Sequence, residues 1–185
     1  MVKKTEITVV ETGYAAQIKA LHAVLGIAAD YANTMGLPMH VAPGQLVDAG
    51  LDMFGRSQQM APTALMAWQM MRDRAADDGI TLMLVSAYRG VAHQADLIQR
   101  KLDSGRSLDD ILRVNAAPGY SEHHTGRALD IATVDSPPLE TDFDQTDAFA
   151  WLVKNADEFG FVLSYPKGSP SAITYEPWHW CFKAD

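Results

Sequence analysis

A single acid inside an apolar segment constrains this chain more than any other feature. Asp130 stands in the run Ala-Leu-Asp-Ile-Ala at residues 128–132, which predicts a short buried strand. Burying an unpaired carboxylate costs several kcal/mol, so Asp130 must be paired with a cation, heavily hydrogen-bonded or bound to a metal ion. His123 precedes it by seven residues, and Gly119 and Gly126 predict tight turns on either side of that histidine. The stretch therefore predicts a metal site.

A second set of candidate ligands lies near the C-terminus. The segment Tyr-Glu-Pro-Trp-His-Trp at residues 175–180 supplies Glu176 and His179. Two histidines and one carboxylate, with a fourth position open for water and a further glutamate as base, are the components of a hydrolytic zinc centre. Residue types alone do not decide between His123 and the adjacent His124 as the first histidine ligand.

Glu176 and His179 are three residues apart, so in a regular strand their side chains would point to opposite faces of a sheet. Pro177 between them predicts a sheet edge or a local irregularity. We therefore expect the strand to twist enough for His179 to bind the metal while Glu176 reaches the attacking water.

The composition sets the class of protein. A chain of 185 residues with 48% apolar residues predicts one globular domain. There are 23 Asp and Glu residues against 15 Lys and Arg, and no basic cluster, which argues against nucleic acid as a partner. Cys181 is the single cysteine, so an internal disulfide is excluded and a metal site must use His, Asp and Glu.

The N-terminal residues do not form a good export signal. Lys3 and Lys4 would suit the start of a signal peptide, but Glu6, Thr8 and Glu11 interrupt the apolar segment that should follow. As written, the sequence predicts no export signal and no membrane span, and hence a cytoplasmic protein. A chain trimmed from a longer precursor would look the same, which leaves a periplasmic or extracellular location open.

The apolar periodicity predicts an α+β fold. Helices are expected at residues 13–35, 62–78, after Gly90, from Ser107 and at 147–159. Strands are expected at residues 80–89, 128–132, 161–165 and 173–182. Residues 37–57, rich in Gly and Pro, predict a packed connecting segment with at most one turn of helix. The result is a small domain with a central, mostly antiparallel sheet flanked by helices, and with the zinc site on the sheet.

Arg89 lies where an apolar strand becomes polar. Its planar guanidinium suits a substrate carboxylate or a developing oxyanion, although a structural ion pair is the favoured interpretation from the residues alone. Tyr88, Tyr120, Trp178 and Trp180 could line a cleft, but core packing is the more common role of such side chains.

These motifs resemble the VanY-type zinc D-Ala-D-Ala carboxypeptidases, which are related to the VanX-type D-Ala-D-Ala dipeptidases. The family signature Ser-x-His-x-x-Gly-x-Ala-x-Asp is matched by residues 121–130, and its closing Glu-Pro-Trp-His-Trp by residues 176–180. Its upstream Ser-Gly-Tyr-Arg-Ser-x-x-x-Gln resembles residues 86–94. The resemblance covers about residues 60–182, which predicts a zinc peptidase core at 60–185 and an N-terminal helical segment at 1–59 packed on it.

The resemblance implies a role for each matching residue. His123, in preference to His124, would bind Zn2+ together with Asp130 and His179, and Glu176 would be the general base and later the acid. Arg89 would stabilise the oxyanion or hold the substrate carboxylate. Substrate contacts are expected from four further side chains, Ser121, Gln94, Tyr88 and Trp178.

The function implied is a monomeric zinc-dependent carboxypeptidase that removes a C-terminal D-amino acid, D-alanine, from peptidoglycan stem peptides. The sequence does not distinguish D,D from L,D specificity. One alternative is an L-alanyl-D-glutamate endopeptidase on the same scaffold. Another is a non-catalytic zinc protein that binds cell-wall peptides, against which the presence of Glu176 argues, because a structural site needs no base.

Overall fold

A four-stranded antiparallel sheet carries the residues singled out above. The computed structural model of the protein describes residues 2–183. Its helices are α1 (Val2–Leu25), α2 (Tyr31–Met35), α3 (Pro62–Asp77), α4 (Val91–Asp103), α5 (Leu108–Val114) and α6 (Asp147–Asn155). Its strands are β1 (Val47–Leu51), β2 (Ser57–Met60), β3 (Met83–Ser86), β4 (Ala128–Ala132), β5 (Phe161–Leu163) and β6 (His179–Phe182). The main sheet has the order β3-β4-β6-β5, with every neighbouring pair antiparallel, so the predicted α+β fold is confirmed.

The two faces of this sheet have different roles. Leu129 and Ile131 of β4 and Trp180 of β6 point into an apolar core shared with α3 and α6. Burial of each such side chain contributes about 1.5–3 kcal/mol. Because successive strand residues point to opposite faces, Asp130 and His179 point to the other face. They are direct partners across the β4–β6 pair. The core-facing residues therefore fix which way the acid and the imidazole point.

The helix ends follow the local signals in the sequence. Pro62 occupies the first turn of α3, as expected. The Ser107 hydroxyl caps α5 by accepting a hydrogen bond from the Asp110 amide at 3.1 Å. The helical segment that begins with α6 continues as a 3-10 turn, Ala156–Phe159, and ends at Gly160, whose φ is 75°. None of the described helices is long and apolar enough to cross a membrane.

Four expected elements differ in the structure. The strand expected at 80–89 is shorter and comprises only Met83–Ser86. The helix expected at 13–35 begins at Val2 and is interrupted after Leu25, because Gly26 adopts a left-handed φ of 72° and turns the chain. The connecting segment expected at 37–57 contains β1 and pairs with β2 as an antiparallel hairpin. The strand expected at 173–182 begins only at His179, since the His179 amide bonds to the Glu176 carbonyl at 3.1 Å in a turn.

The N-terminal segment packs on α4 and α5. Ile18, Leu25 and Tyr31 are buried in an apolar cluster with residues of those helices, including Ile98 and Ile111. The Tyr31 hydroxyl also accepts a hydrogen bond from the Ala117 amide at 3.0 Å. A division of the chain at residue 60 stays a prediction.

Gly126 ends the 3-10 turn that presents His123, and we expect its replacement to destabilise the protein. Its φ is 66°, and a Cβ atom there would lie 2.9 Å from the Ala61 amide nitrogen and 2.9 Å from a Leu46 methyl group. Gly36 has a similar φ of 62° and nothing within 4 Å, so it is a matched control. Gly36→Ala should cost about 1 kcal/mol of unfolding free energy. Gly126→Ala should cost roughly 1–3 kcal/mol more in urea unfolding, and equal losses would show that the close packing is unimportant.

Candidate functional site

Three buried side chains converge on the free face of the sheet. The His123 Nε2 atom lies 3.2 Å from Asp130 Oδ2, and the His179 Nδ1 atom lies 3.1 Å from Asp130 Oδ1. One donor atom from each residue falls within 4.8 Å of the others. Two imidazole nitrogens and a carboxylate oxygen are the donor set of a hydrolytic zinc site, so these residues fit that metal.

The remaining nitrogen of each imidazole holds its ring in place. His123 donates from Nδ1 to the Ala87 carbonyl at 2.6 Å, and His179 donates from Nε2 to Glu122 Oε2 at 3.1 Å. These bonds leave Nε2 of His123 and Nδ1 of His179 directed at Asp130. Hydrogen bonds from outside the cluster therefore orient both candidate ligands.

The charge of Asp130 is retained in spite of its burial. Burial opposes ionisation of this carboxyl, but the facing His123 and His179 hold its pKa well below the ordinary range. Burial likewise disfavours protonation of His179, yet hydrogen bonds to Asp130 and Glu122 raise its pKa to about 10. The cluster thus favours a bound cation, either a proton or a metal ion.

Glu176 lies beside the cluster in the turn that precedes β6. Its Oε2 atom is 3.9 Å from His179 Nδ1, and the residue is 8% exposed. Burial raises the pKa of Glu176 to about 7, and the charge of Asp130 adds to this effect, while His179 and Arg89 oppose it. A carboxyl group with this pKa can both accept and donate a proton near neutral pH. Because Glu176 precedes the strand, its position does not require the strand twist that the sequence suggested.

Arg89 places a buried cation next to the same carboxylate. Its guanidinium is 3.7 Å from Asp130 Oδ2 and donates to Gln94 Oε1 at 2.9 Å and to Ser86 Oγ at 3.3 Å. The Gln94 amide in turn donates to the Ala116 carbonyl at 2.7 Å. The bond to Ala116 fixes the Gln94 side chain, and the side-chain oxygen of Gln94 in turn holds the Arg89 guanidinium in place.

These groups open onto one cleft of about 520 Å³. Its wall includes the three candidate ligands and Arg89, Gln94, Ser121, Glu176 and Trp178. Tyr88 lies elsewhere, in a pocket of about 380 Å³ that it shares with Tyr14 and His124. A larger groove of about 790 Å³ between residues 79–81 and 133–148 contains none of these side chains.

His124 has a different environment from His123. Its Nδ1 atom donates to the Arg89 carbonyl, and its Nε2 atom accepts from the Gly119 amide at 3.0 Å. Burial lowers the pKa of His124 to about 4, which keeps the ring neutral in this bridge. His124 thus links two loops and lies outside the cluster of candidate ligands.

Two further residues at the site were not found from the sequence. The Glu122 carboxylate accepts hydrogen bonds from His179, from Ser164 Oγ at 2.5 Å and from Lys183 Nζ at 2.6 Å. The Tyr165 ring is 5.0 Å from the His179 ring and lines the cleft. Glu122 stands at a variable position of the signature motif, and the position of Tyr165 depends on the pairing of distant strands.

Comparison with known proteins identifies the family. The model of the VanY family, described as D-alanyl-D-alanine carboxypeptidase, matches residues 57–185. The chain belongs to the VanY family. Among curated relatives, the protein named putative carboxypeptidase YodJ of Bacillus subtilis (strain 168) is 34% identical over 118 residues, which cover 61% of this chain and 42% of YodJ. The chain thus spans about two fifths of the length of that relative.

Solved VanY-like structures share the fold over most of the chain. The LdcB LD-carboxypeptidase is 30% identical with a TM-score of 0.69, covering 78% of this chain and 71% of LdcB. A mutant of the vancomycin resistance D,D-pentapeptidase VanY in complex with Zn(II) is 25% identical with a TM-score of 0.59, covering 77% and 83% of the two chains.

Proposed function

We propose that this chain is a zinc-dependent carboxypeptidase that removes a C-terminal D-amino acid, D-alanine, from peptidoglycan stem peptides. The observation that carries the proposal is the convergence of His123, Asp130 and His179, with Glu176 3.9 Å from His179 on the wall of an open cleft. Membership of the VanY family supports it, as does the Zn(II) complex of a VanY relative.

His123, Asp130 and His179 would hold the zinc ion through Nε2, a carboxylate oxygen and Nδ1. Bound zinc supplies a Lewis acid that acidifies water and polarises a peptide carbonyl. Ala87 and Glu122 would keep the two imidazoles in the required orientation through their hydrogen bonds.

The remaining groups of the cleft would carry out proton transfer and charge stabilisation. Glu176 takes a proton from the attacking water and later gives it to the leaving amine, which its partly desolvated carboxyl group favours. Arg89, held by Gln94 and Ser86, stabilises the negative oxygen that develops on the substrate. Ser121 and Trp178 line the same cleft and are proposed as substrate contacts.

The proposal is tested with zinc-loaded protein, muramyl tetrapeptide and muramyl pentapeptide, with products identified by mass. We expect loss of one terminal D-alanine, abolished by a chelator and restored by zinc. Preference for the pentapeptide would establish D,D specificity, and preference for the tetrapeptide L,D specificity.

Two other outcomes of this experiment would contradict the proposal. Cleavage between L-alanine and D-glutamate would assign the endopeptidase activity. Binding of the peptides by the zinc-loaded protein without cleavage would assign a cell-wall peptide-binding module.

A further inference from the structure

The cleft has a cationic end that the proposed chemistry does not use. Lys101 and Arg106 line the same cleft as Arg89. Lys101 is half-buried and donates a hydrogen bond from Nζ to the Asn115 side-chain oxygen. Among the described side chains, neither Lys101 nor Arg106 forms an ion pair, and the exposed Glu140 in the same lining pairs with neither.

Lys101 combines partial burial with the lack of a carboxylate partner, whereas the two described lysines that form ion pairs each have one. Lys167 pairs with Asp144 at 2.6 Å and Lys183 with Glu122 at 2.6 Å. Lys101 has three N–H donors and uses one, on a neutral amide oxygen. Burial lowers the pKa of Lys101, and the nearby Arg106 and Arg89 lower it further, against an opposing effect of Glu176. A bound anion would relieve this repulsion.

The helix α4 fixes how far this cation lies from the reacting groups. Gln94, Leu97 and Lys101 follow each other at helical spacing and all line the cleft. Gln94 holds the Arg89 guanidinium. Seven residues of helix rise by about 10 Å, and the lysine side chain leans back toward the helix N-terminus. An extended peptide covers this distance with two or three residues, at about 3.3–3.6 Å each.

We propose that Lys101, assisted by Arg106, binds a free carboxylate of the substrate that lies two or three residues before the scissile bond. The C-terminal carboxylate of the substrate is a less suitable ligand for Lys101. It belongs to the released residue, only one residue from the scissile carbonyl, and would therefore lie nearer Arg89. The site would select acidic peptides, and the α-carboxylate of D-glutamate in a stem peptide has the required chemistry. The assignment of this substrate class rests on the proposed carboxypeptidase function.

The test compares two peptides, L-Ala-γ-D-Glu-L-Lys-D-Ala-D-Ala and the same peptide with the D-glutamate α-carboxylate amidated. The zinc-loaded wild-type protein should have a KM about tenfold lower for the acidic peptide, as one charge-assisted contact predicts. Lys101→Gln should reduce this preference to less than about twofold by raising the KM of the acidic peptide. Arg100→Gln removes the same charge from the exposed side of α4 and should retain the preference.

A binding measurement separates this inference from the proposed function. Calorimetry with Glu176→Gln should show the same preference without turnover, and adding Lys101→Gln should remove it. If neither these pentapeptides nor the corresponding tetrapeptides are hydrolysed but this selective binding is found, the carboxypeptidase proposal fails and the anion site stands. The anion site is overturned if Lys101→Gln retains the preference, or if it instead removes discrimination against a peptide with an amidated C-terminus.

Discussion

Glu176→Gln should lower the rate of stem-peptide hydrolysis by roughly 10²–10⁴-fold while zinc content stays unchanged. The amide has nearly the size of the carboxylate but cannot accept the proton of the attacking water. Since Glu176 is 3.9 Å from His179 and outside the cluster of candidate ligands, its charge is not needed to bind the metal. Single-turnover rates and metal analysis of the purified variant measure the two properties separately.

Glu140→Gln is the matched control for this variant. Glu140 is an exposed carboxylate in the lining of the same cleft, and its replacement should change the rate by less than about twofold. If Glu176→Gln with full zinc content hydrolysed stem peptides at the wild-type rate, Glu176 would not be the base.

Asp130→Asn should abolish the stabilisation that zinc gives to the folded protein. Asp130 lies between His123 and His179 with its charge intact, and the amide offers neither that charge nor a comparable ligand. A metal at about 1,000 times its Kd stabilises a fold by about 4 kcal/mol, which for a chain of this size raises Tm by roughly 10 °C. The variant should show almost no rise and should lose hydrolysis.

The experiment is a thermal unfolding series with and without zinc, so each variant serves as its own reference. Asp135→Asn, in an exposed loop, should retain the wild-type increase in Tm. An undiminished zinc-dependent shift in Asp130→Asn would place the metal elsewhere in the chain.

Local sequence was sufficient to predict the direction of Asp130, because strand alternation fixes it, but residue types alone left His123 and His124 as alternative ligands. Asp130 is flanked by Leu129 and Ile131, and their burial against α3 and α6 leaves one direction for the acid. The expectation for Tyr88 lacked this support, because Tyr88 and Arg89 follow the end of β3 at Ser86. Arg89 lines the cleft, whereas Tyr88 lines a different pocket.

Other features depend on contacts between distant segments. The β1–β2 hairpin has little apolar alternation, and Leu51 is 66% exposed, so periodicity could not reveal it. Glu122 reaches His179 from 57 residues away, and Tyr165 reaches it through strand pairing. A single sequence does not encode these distances in any local pattern.

The pairing of Asp130 with His179 across β4 and β6 links the proposed metal site to strand alignment. A slip of one residue between these strands would turn Trp180 toward the cleft and His179 into the apolar core. The candidate ligands would then no longer converge, and the misaligned sheet could not bind the ion. A bound zinc ion would therefore stabilise only the sheet whose central strands are in the correct register, and it would shift the folding equilibrium away from misaligned sheets.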